Sequence, residues 1–124
     1  MKTCVISFSS RADGNCAAIA DCVQETLGAE GLTRFDFSGL SVHGCGACHC
    51  ECFRQREACP YFADDAFRLN EAAALADRTV FIVPNYCDFP CSNFFLFNER
   101  SQCCFNGHAE LADRYLAVPK KFIV

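Results

Sequence analysis

Strand-like and helix-like segments alternate along this chain, and that alternation restricts its fold more than any other feature. Thr3-Cys4-Val5-Ile6-Ser7 is a short β-branched, apolar run of the kind that fills a buried strand. A loop rich in Ser, Gly, Asp and Asn follows, from Phe8 to Asn15. From Asn15 or Cys16 the pattern becomes helical: Cys16, Ile19, Ala20, Val23 and Leu27 share one face, and Gly28 and Gly31 supply the stop. Leu32, Phe35 and Phe37 set against Thr33, Arg34 and Asp36 predict a second strand.

Ser38 to Pro60 has no clean period. Beyond it, Asp64 or Asp65 can cap a helix running through Ala66, Leu69, Ala73 and Leu75. Thr79–Val83 is the strongest strand pattern in the chain and stops at Pro84. Ser92 to Glu99 is predicted helical and is very aromatic, with a Cys-Cys-Phe-Asn-Gly segment after it. Glu110–Leu116 is a further helix, Pro119 a break, and Lys121–Val124 a last strand. The order β-α-β-(Cys loop)-α-β-α-α-β specifies an α/β domain with a mostly parallel sheet and helices on both faces. With 124 residues and no repeat or linker, residues 1–124 are expected to form a single domain.

Composition narrows the partners. A formal charge of -4 gives no basic face to neutralise a phosphate backbone, so nucleic acid is excluded as the expected partner. No apolar run approaches the roughly 18 residues of a membrane span, and no signal-peptide pattern follows Met1-Lys2-Thr3. The chain is therefore expected in the cytoplasm. There, 12 cysteines suggest metal or redox chemistry rather than a disulfide scaffold.

Two loops carry candidate binding residues. In open α/β sheets, ligands sit at the carboxyl edge of the strands. The loop after the first strand offers the hydroxyls of Ser9 and Ser10, the guanidinium of Arg11 and the amides around Gly14, Asn15 and Cys16. Together with a helix N-terminus they could surround a phosphate; the plainer reading is a solvated loop with Asn15 as N-cap. The spacing is neither a dinucleotide fingerprint nor a Walker loop. After the strongest strand, Pro84, Asn85, Tyr86, Cys87 and Asp88 offer backbone amides beside an aromatic, which suits a planar heteroaromatic ring. A Pro-rich turn with core aromatics is the alternative there.

The third feature is the loop Cys45-x2-Cys48-x-Cys50-x-Cys52-x6-Cys59, holding five of the 12 cysteines. Four thiolates converging from one loop can hold zinc or an iron–sulfur cluster, with Cys45, Cys48, Cys52 and Cys59 as the ligand set and Cys50 as substitute. Unliganded or redox-active thiols are the leading expectation.

The order Ser9-Ser10-Arg11 … Gly14-Asn15, Gly44-Cys45-Gly46-Ala47-Cys48, Cys59 … Asp64-Asp65, Pro84-Asn85-Tyr86 … Ser92 … Phe97-Asn98-Glu99-Arg100 resembles the NADPH-dependent FMN reductase family. The family includes iron–sulfur flavoprotein relatives. The resemblance covers nearly the whole chain and implies a flavodoxin-like three-layer sandwich with strand order 2-1-3-4. By that resemblance, Ser9, Ser10, Arg11, Gly14, Asn15 and Cys16 hold the FMN phosphate. Pro84, Asn85, Tyr86, Cys87 and Asp88 border the isoalloxazine ring, with Cys87 and Cys91 flanking it. Glu99 and Arg100 are structural or interfacial, at the end of their helix, and Phe94, Phe95 and Phe97 serve core and dimer packing. Phe8 stands where the family has Gly and is expected to crowd the backbone near the phosphate; Cys16 replaces a hydroxyl with a weaker thiol donor. The family also implies a fifth strand and closing helix beyond Val124, so the domain is expected to be C-terminally short.

The function implied is an FMN-dependent oxidoreductase moving electrons from NADPH or NADH to a small-molecule or protein acceptor. It would work as a homo-oligomer, with no catalytic side chain because the flavin carries the chemistry. The alternative is a cysteine-rich iron–sulfur or zinc-binding electron-transfer protein without NAD(P)H turnover.

Overall fold

The run Thr3–Ser7 becomes strand β1 in the computed structural model, which describes residues 1–46 and 48–124, and every one of its side chains is buried. Burial on both faces explains its continuous apolar character. β1 pairs in parallel with β2 (Leu32–Asp36) on one side and with β3 (Arg78–Ile82) on the other. Including the last strand, β6 (Lys120–Ile123), the sheet order is β2-β1-β3-β6, all parallel. This is the order expected from sequence, with β6 as the fourth strand of the sheet. A separate antiparallel ribbon joins β4 (Asn85–Tyr86) to β5 (Phe89–Pro90).

The period of two along each strand divides the core into layers. Val5, Val80 and Ile82 face helix α1 (Asn15–Leu27), meeting Cys16 and Ala20 there. Cys4, Ile6, Phe8, Phe81 and Val83 face the opposite side, toward Leu69 and Ala73 of helix α2 (Ala66–Leu75) and Phe97 of helix α3 (Ser92–Phe105). Helix α4 (Ala109–Ala117) packs on α2. Each fully buried Ile or Phe in this layer contributes about 1.5–3 kcal/mol of transfer free energy.

The third helix is longer than its sequence pattern indicates. It runs through Cys103, Cys104 and Phe105, and Asn106 and Gly107 end it, with Gly107 at φ 75°. Residues Glu99 and Arg100 therefore lie in its interior rather than at its end. Cysteine is a poor helix former, but Cys103 and Cys104 are buried against Ala66, so tertiary packing overrides propensity here.

Phe8 does not crowd the first loop. Its side chain is wholly buried, tilted on Phe37 with centroids 5.1 Å apart and edge-on to Phe81, Phe94 and Phe97. Strand alternation turns it into the α2/α3 layer, away from the loop edge. No helix among the described residues is long and apolar enough to cross a membrane.

Candidate functional site

The carboxyl ends of β1 and β3 lie side by side, because these strands are neighbours in register Ser7↔Ile82. The loops leaving them meet above α1. Ser9, Arg11, Gly14, Asn15 and Cys16 from the first loop and Pro84, Asn85 and Tyr86 from the second line one cavity of about 350 Å³. Ile19, Ile82, Val83, Ile123 and Val124 complete it. The last two come from the end of β6, a contribution with no polar signature in the sequence.

The N-terminus of α1 carries no side-chain cap. Gly14, not Asn15, is its N-cap. No acidic residue occupies the first turn, although Asp13 stands just before the cap, and the first amides of the helix are left without intrahelical partners. Arg11 folds over this point: a Cβ placed on Gly14 would lie 3.7 Å from Arg11 Nε. Ser9 is buried, and its Oγ accepts the Arg11 backbone N–H at 3.1 Å, which fixes the turn into the loop. Burial, aided by the neighbouring Cys91, pushes the Cys16 thiol up, so it remains a neutral donor.

Three expected residues stand apart from the cavity lining. Ser10 Oγ instead accepts from Asn93 Nδ2 at 2.9 Å. Asn93 also donates to the Phe8 carbonyl at 2.8 Å, tying the start of α3 to the first loop. Sequence reasoning missed this tie, because an Asn in the first turn of an aromatic helix has no pattern of its own. Cys87 and Asp88 form the tip of the β4–β5 ribbon, with φ 51° and 66°. Two successive positive φ values make a type I′ turn, whose twist matches the flanking strands. The exposed Cys87 is separate in environment from Cys91, which is buried with its Sγ 3.5 Å from the Phe8 carbonyl.

The cysteine loop is held from α3. Glu99 Oε2 accepts the Cys45 N–H at 3.3 Å, and Asn106 Nδ2 donates to the Cys52 carbonyl at 2.9 Å. Arg100 is wholly buried and is the hub. Its Nη1 donates to Asp64 Oδ2 at 2.5 Å and to the His43 carbonyl at 2.7 Å, and its Nη2 donates to the Tyr61 carbonyl at 3.2 Å. Asp64 Oδ1 accepts the Ala66 N–H at 2.9 Å, so the acidic pair does serve the start of α2, though Asp64 is equally committed to Arg100. The structural role expected for Glu99 and Arg100 is the one observed.

Gly46 lies beneath Tyr61, whose ring stacks on His43 at 3.8 Å; a Cβ on Gly46 would meet the Tyr61 hydroxyl at 2.5 Å. Ala47, also part of the Gly44–Cys48 motif, lies outside the described residues. All 12 cysteines are free. The structure does not bring Cys45, Cys48, Cys52 and Cys59 to a common point. Among the described residues no three His, Cys, Asp or Glu side chains are grouped to hold a metal ion. Short 3-10 turns at Glu51–Phe53 and Arg56–Ala58 separate these cysteines, with Cys52 inside the first and Cys59 just after the second.

A parallel 2-1-3-4 sheet with helices on both faces, and a cradle where the first strand feeds the first helix, is a flavodoxin-like domain. Comparison with known proteins is more specific. The profile of the NADPH-dependent FMN reductase family matches residues 1–119, and the chain belongs to that family of NAD(P)H-dependent flavin oxidoreductases. Among solved structures, the fold is similar to FerB, a flavoenzyme NAD(P)H:(acceptor) oxidoreductase from Paracoccus denitrificans. The TM-score is 0.53 at 16% identity, covering 100% of this chain and 76% of FerB. No curated protein matches the sequence.

Proposed function

We propose that the cavity between the two loops is the FMN site of an NAD(P)H-dependent oxidoreductase. The observation that carries this reading is convergence. Eight residues chosen from two distant stretches of sequence, Ser9, Arg11, Gly14, Asn15, Cys16, Pro84, Asn85 and Tyr86, line the same cavity. Its volume of about 350 Å³ falls in the range of small-molecule sites. The uncapped α1 terminus fits a phosphate, and the half-exposed Tyr86 ring beside Pro84 fits the face of a planar heterocycle.

FMN bound there would take hydride from a reduced nicotinamide and pass the electrons to an acceptor. The chain itself binds and orients. Arg11 and the amides of Gly14, Asn15 and Cys16 neutralise and position the phosphate. The Asn93 tie to Ser10 and the Phe8 carbonyl keeps the first loop in fixed relation to the start of α3. Cys87 and Asp88, at the ribbon tip, would border the ring from outside the cavity. None of these groups need move a proton, so we assign no catalytic side chain. The acceptor is a small molecule or protein, and the protein is proposed to work in the cytoplasm. A homo-oligomer suits β6, a sheet edge carrying the half-exposed Phe122.

Titration of the purified chain with FMN, followed by quenching of flavin fluorescence, tests the binding. Loss of NADPH absorbance in the presence of FMN and an acceptor tests turnover. Saturable binding with turnover is expected. A chain that neither quenches added FMN nor consumes reduced nicotinamide overturns the proposal. The rival electron-transfer reading requires iron with acid-labile sulfide, or zinc, in the purified chain; the dispersed cysteine loop does not favour it.

A further inference from the structure

We propose that Cys59 and Cys103 form a redox-active dithiol that exchanges with small disulfides, at a site separate from the flavin cavity. One guanidinium brings the two sulfurs together. Arg100 Nε lies 3.3 Å from Cys103 Sγ, and Arg100 Nη2 lies 3.8 Å from Cys59 Sγ. These two nitrogens share one edge of a rigid planar fork, so the sulfurs bound to them stand side by side. The fork cannot swing away, since Asp64 and the carbonyls of His43 and Tyr61 hold its remaining donors.

The pair is asymmetric in the way exchange requires. Cys59 is partly exposed at the end of the cysteine loop, whereas Cys103 is only 2% exposed, inside α3. A small disulfide can therefore reach Cys59 but not Cys103. Cys104 neighbours Cys103 but is no substitute resolving thiol: it is buried and follows Cys103 in a regular helix, where consecutive side chains do not reach disulfide geometry.

The step balances without a further reactant. The Cys59 thiolate attacks one sulfur of the small disulfide, forming a mixed disulfide and releasing one small thiol. The Cys103 thiolate then attacks the Cys59 sulfur, forming the Cys59–Cys103 disulfide and releasing the second small thiol. Two protein thiols are oxidised, one small disulfide is reduced, and the two protons leave with the two small thiols. Arg100 stays charged throughout and favours the resolving Cys103 thiolate; at Cys59 it only offsets part of the burial that pushes that thiol up. Closing the bond removes two acceptors from the Arg100 fork, so oxidation also loosens the grip of α3 on the Gly44–Cys59 loop.

The test treats the full chain with oxidised glutathione under anaerobic conditions and maps its cysteines by non-reducing peptide mass spectrometry. A cross-linked Cys59–Cys103 peptide is expected in the wild-type protein. Exposed Cys22, Cys50 and Cys87 should carry only glutathione adducts. In C103S the mixed disulfide on Cys59 should accumulate, since nothing resolves it; in C59S, Cys103 should stay free. The proposal is overturned if wild-type Cys59 and Cys103 both remain thiols when Cys50 is fully converted. It is equally overturned if Cys59 accumulates as a stable glutathione adduct in the wild-type chain. Both decisive readings use the unaltered protein, so a variant that fails to fold does not blunt them.

Discussion

Asp64 Oδ2 stands 2.5 Å from Arg100 Nη1, and this one pair joins the start of α2, the interior of α3 and the loop before them. The Arg100 side chain is wholly buried and that of Asp64 is 12% exposed. A buried ion pair of this kind stabilises little relative to an apolar replacement of both partners, but breaking it leaves a charge without a partner. Asp64→Asn or Arg100→Met alone should therefore cost about 3–5 kcal/mol. Urea denaturation should show a lower midpoint with an unchanged slope. A loss below about 1 kcal/mol would place the pair in the weak surface class instead.

The same pair sets an acid limit. Burial alone would raise the Asp64 carboxyl, but the Arg100 guanidinium and the N–H groups of His43 and Ala66 outweigh it and hold it below its ordinary 3.8. A carboxylate depressed in the folded state contributes stability that is fully present above its unfolded value. That stability is lost as pH falls through the folded value. Unfolding free energy should decline as pH drops below about 4, and Asp64→Asn should remove that part of the decline. Urea midpoints across this window, wild type against variant, check the sign.

Restoring the family's glycine at position 8 should harm the fold rather than free the phosphate loop. Phe8 contacts four other aromatic rings in the α2/α3 layer. Phe8→Gly should cost at least the 3–5 kcal/mol or so of a buried Phe→Ala change, lowering the thermal midpoint by many degrees. A conservative Phe8→Leu should recover most of it.

Arg11→Ala should weaken FMN binding roughly tenfold through loss of one charge-assisted contact, with little change in stability because Arg11 is exposed. The loss should shrink for riboflavin, which lacks the phosphate. Equal losses for both ligands would mean that Arg11 contacts the ring or ribityl chain instead.

The β4–β5 turn is held by two non-glycine residues at positive φ, Cys87 and Asp88. Replacing them with Asn-Gly, the preferred type I′ pair, should raise stability by about 1 kcal/mol. A thermal melt of C87N/D88G measures this.

The strands and helices were legible one by one because burial imposes its period locally: residues 4–6 of β1 and 80–82 of β3 are apolar because both faces of a central strand are covered. That the two polar loops line one cavity was legible as well, since both leave the carboxyl ends of neighbouring parallel strands. The extension of α3 was not, because its Cys-Cys-Phe segment has weak helical propensity and is stabilised only by contact with α2 and the cysteine loop. Nor was the direction of Phe8, which depends on the phase of a strand carried past its last paired residue.

The sequence by itself determined a flavodoxin-like α/β chain with a polar loop after its first strand and a cysteine-rich excursion. Only the tertiary structure decided where those cysteines lie and what they pack against. Spacing suggested four ligands converging from one loop, but the loop winds through two 3-10 turns tied to α3 at separate points, and its thiols meet partners that sequence distance concealed. Arg100 selects Cys59 and Cys103 because a guanidinium fixed by Asp64 offers two donors along one edge. Such a pairing arises from where two remote segments pack, and no local pattern encodes it.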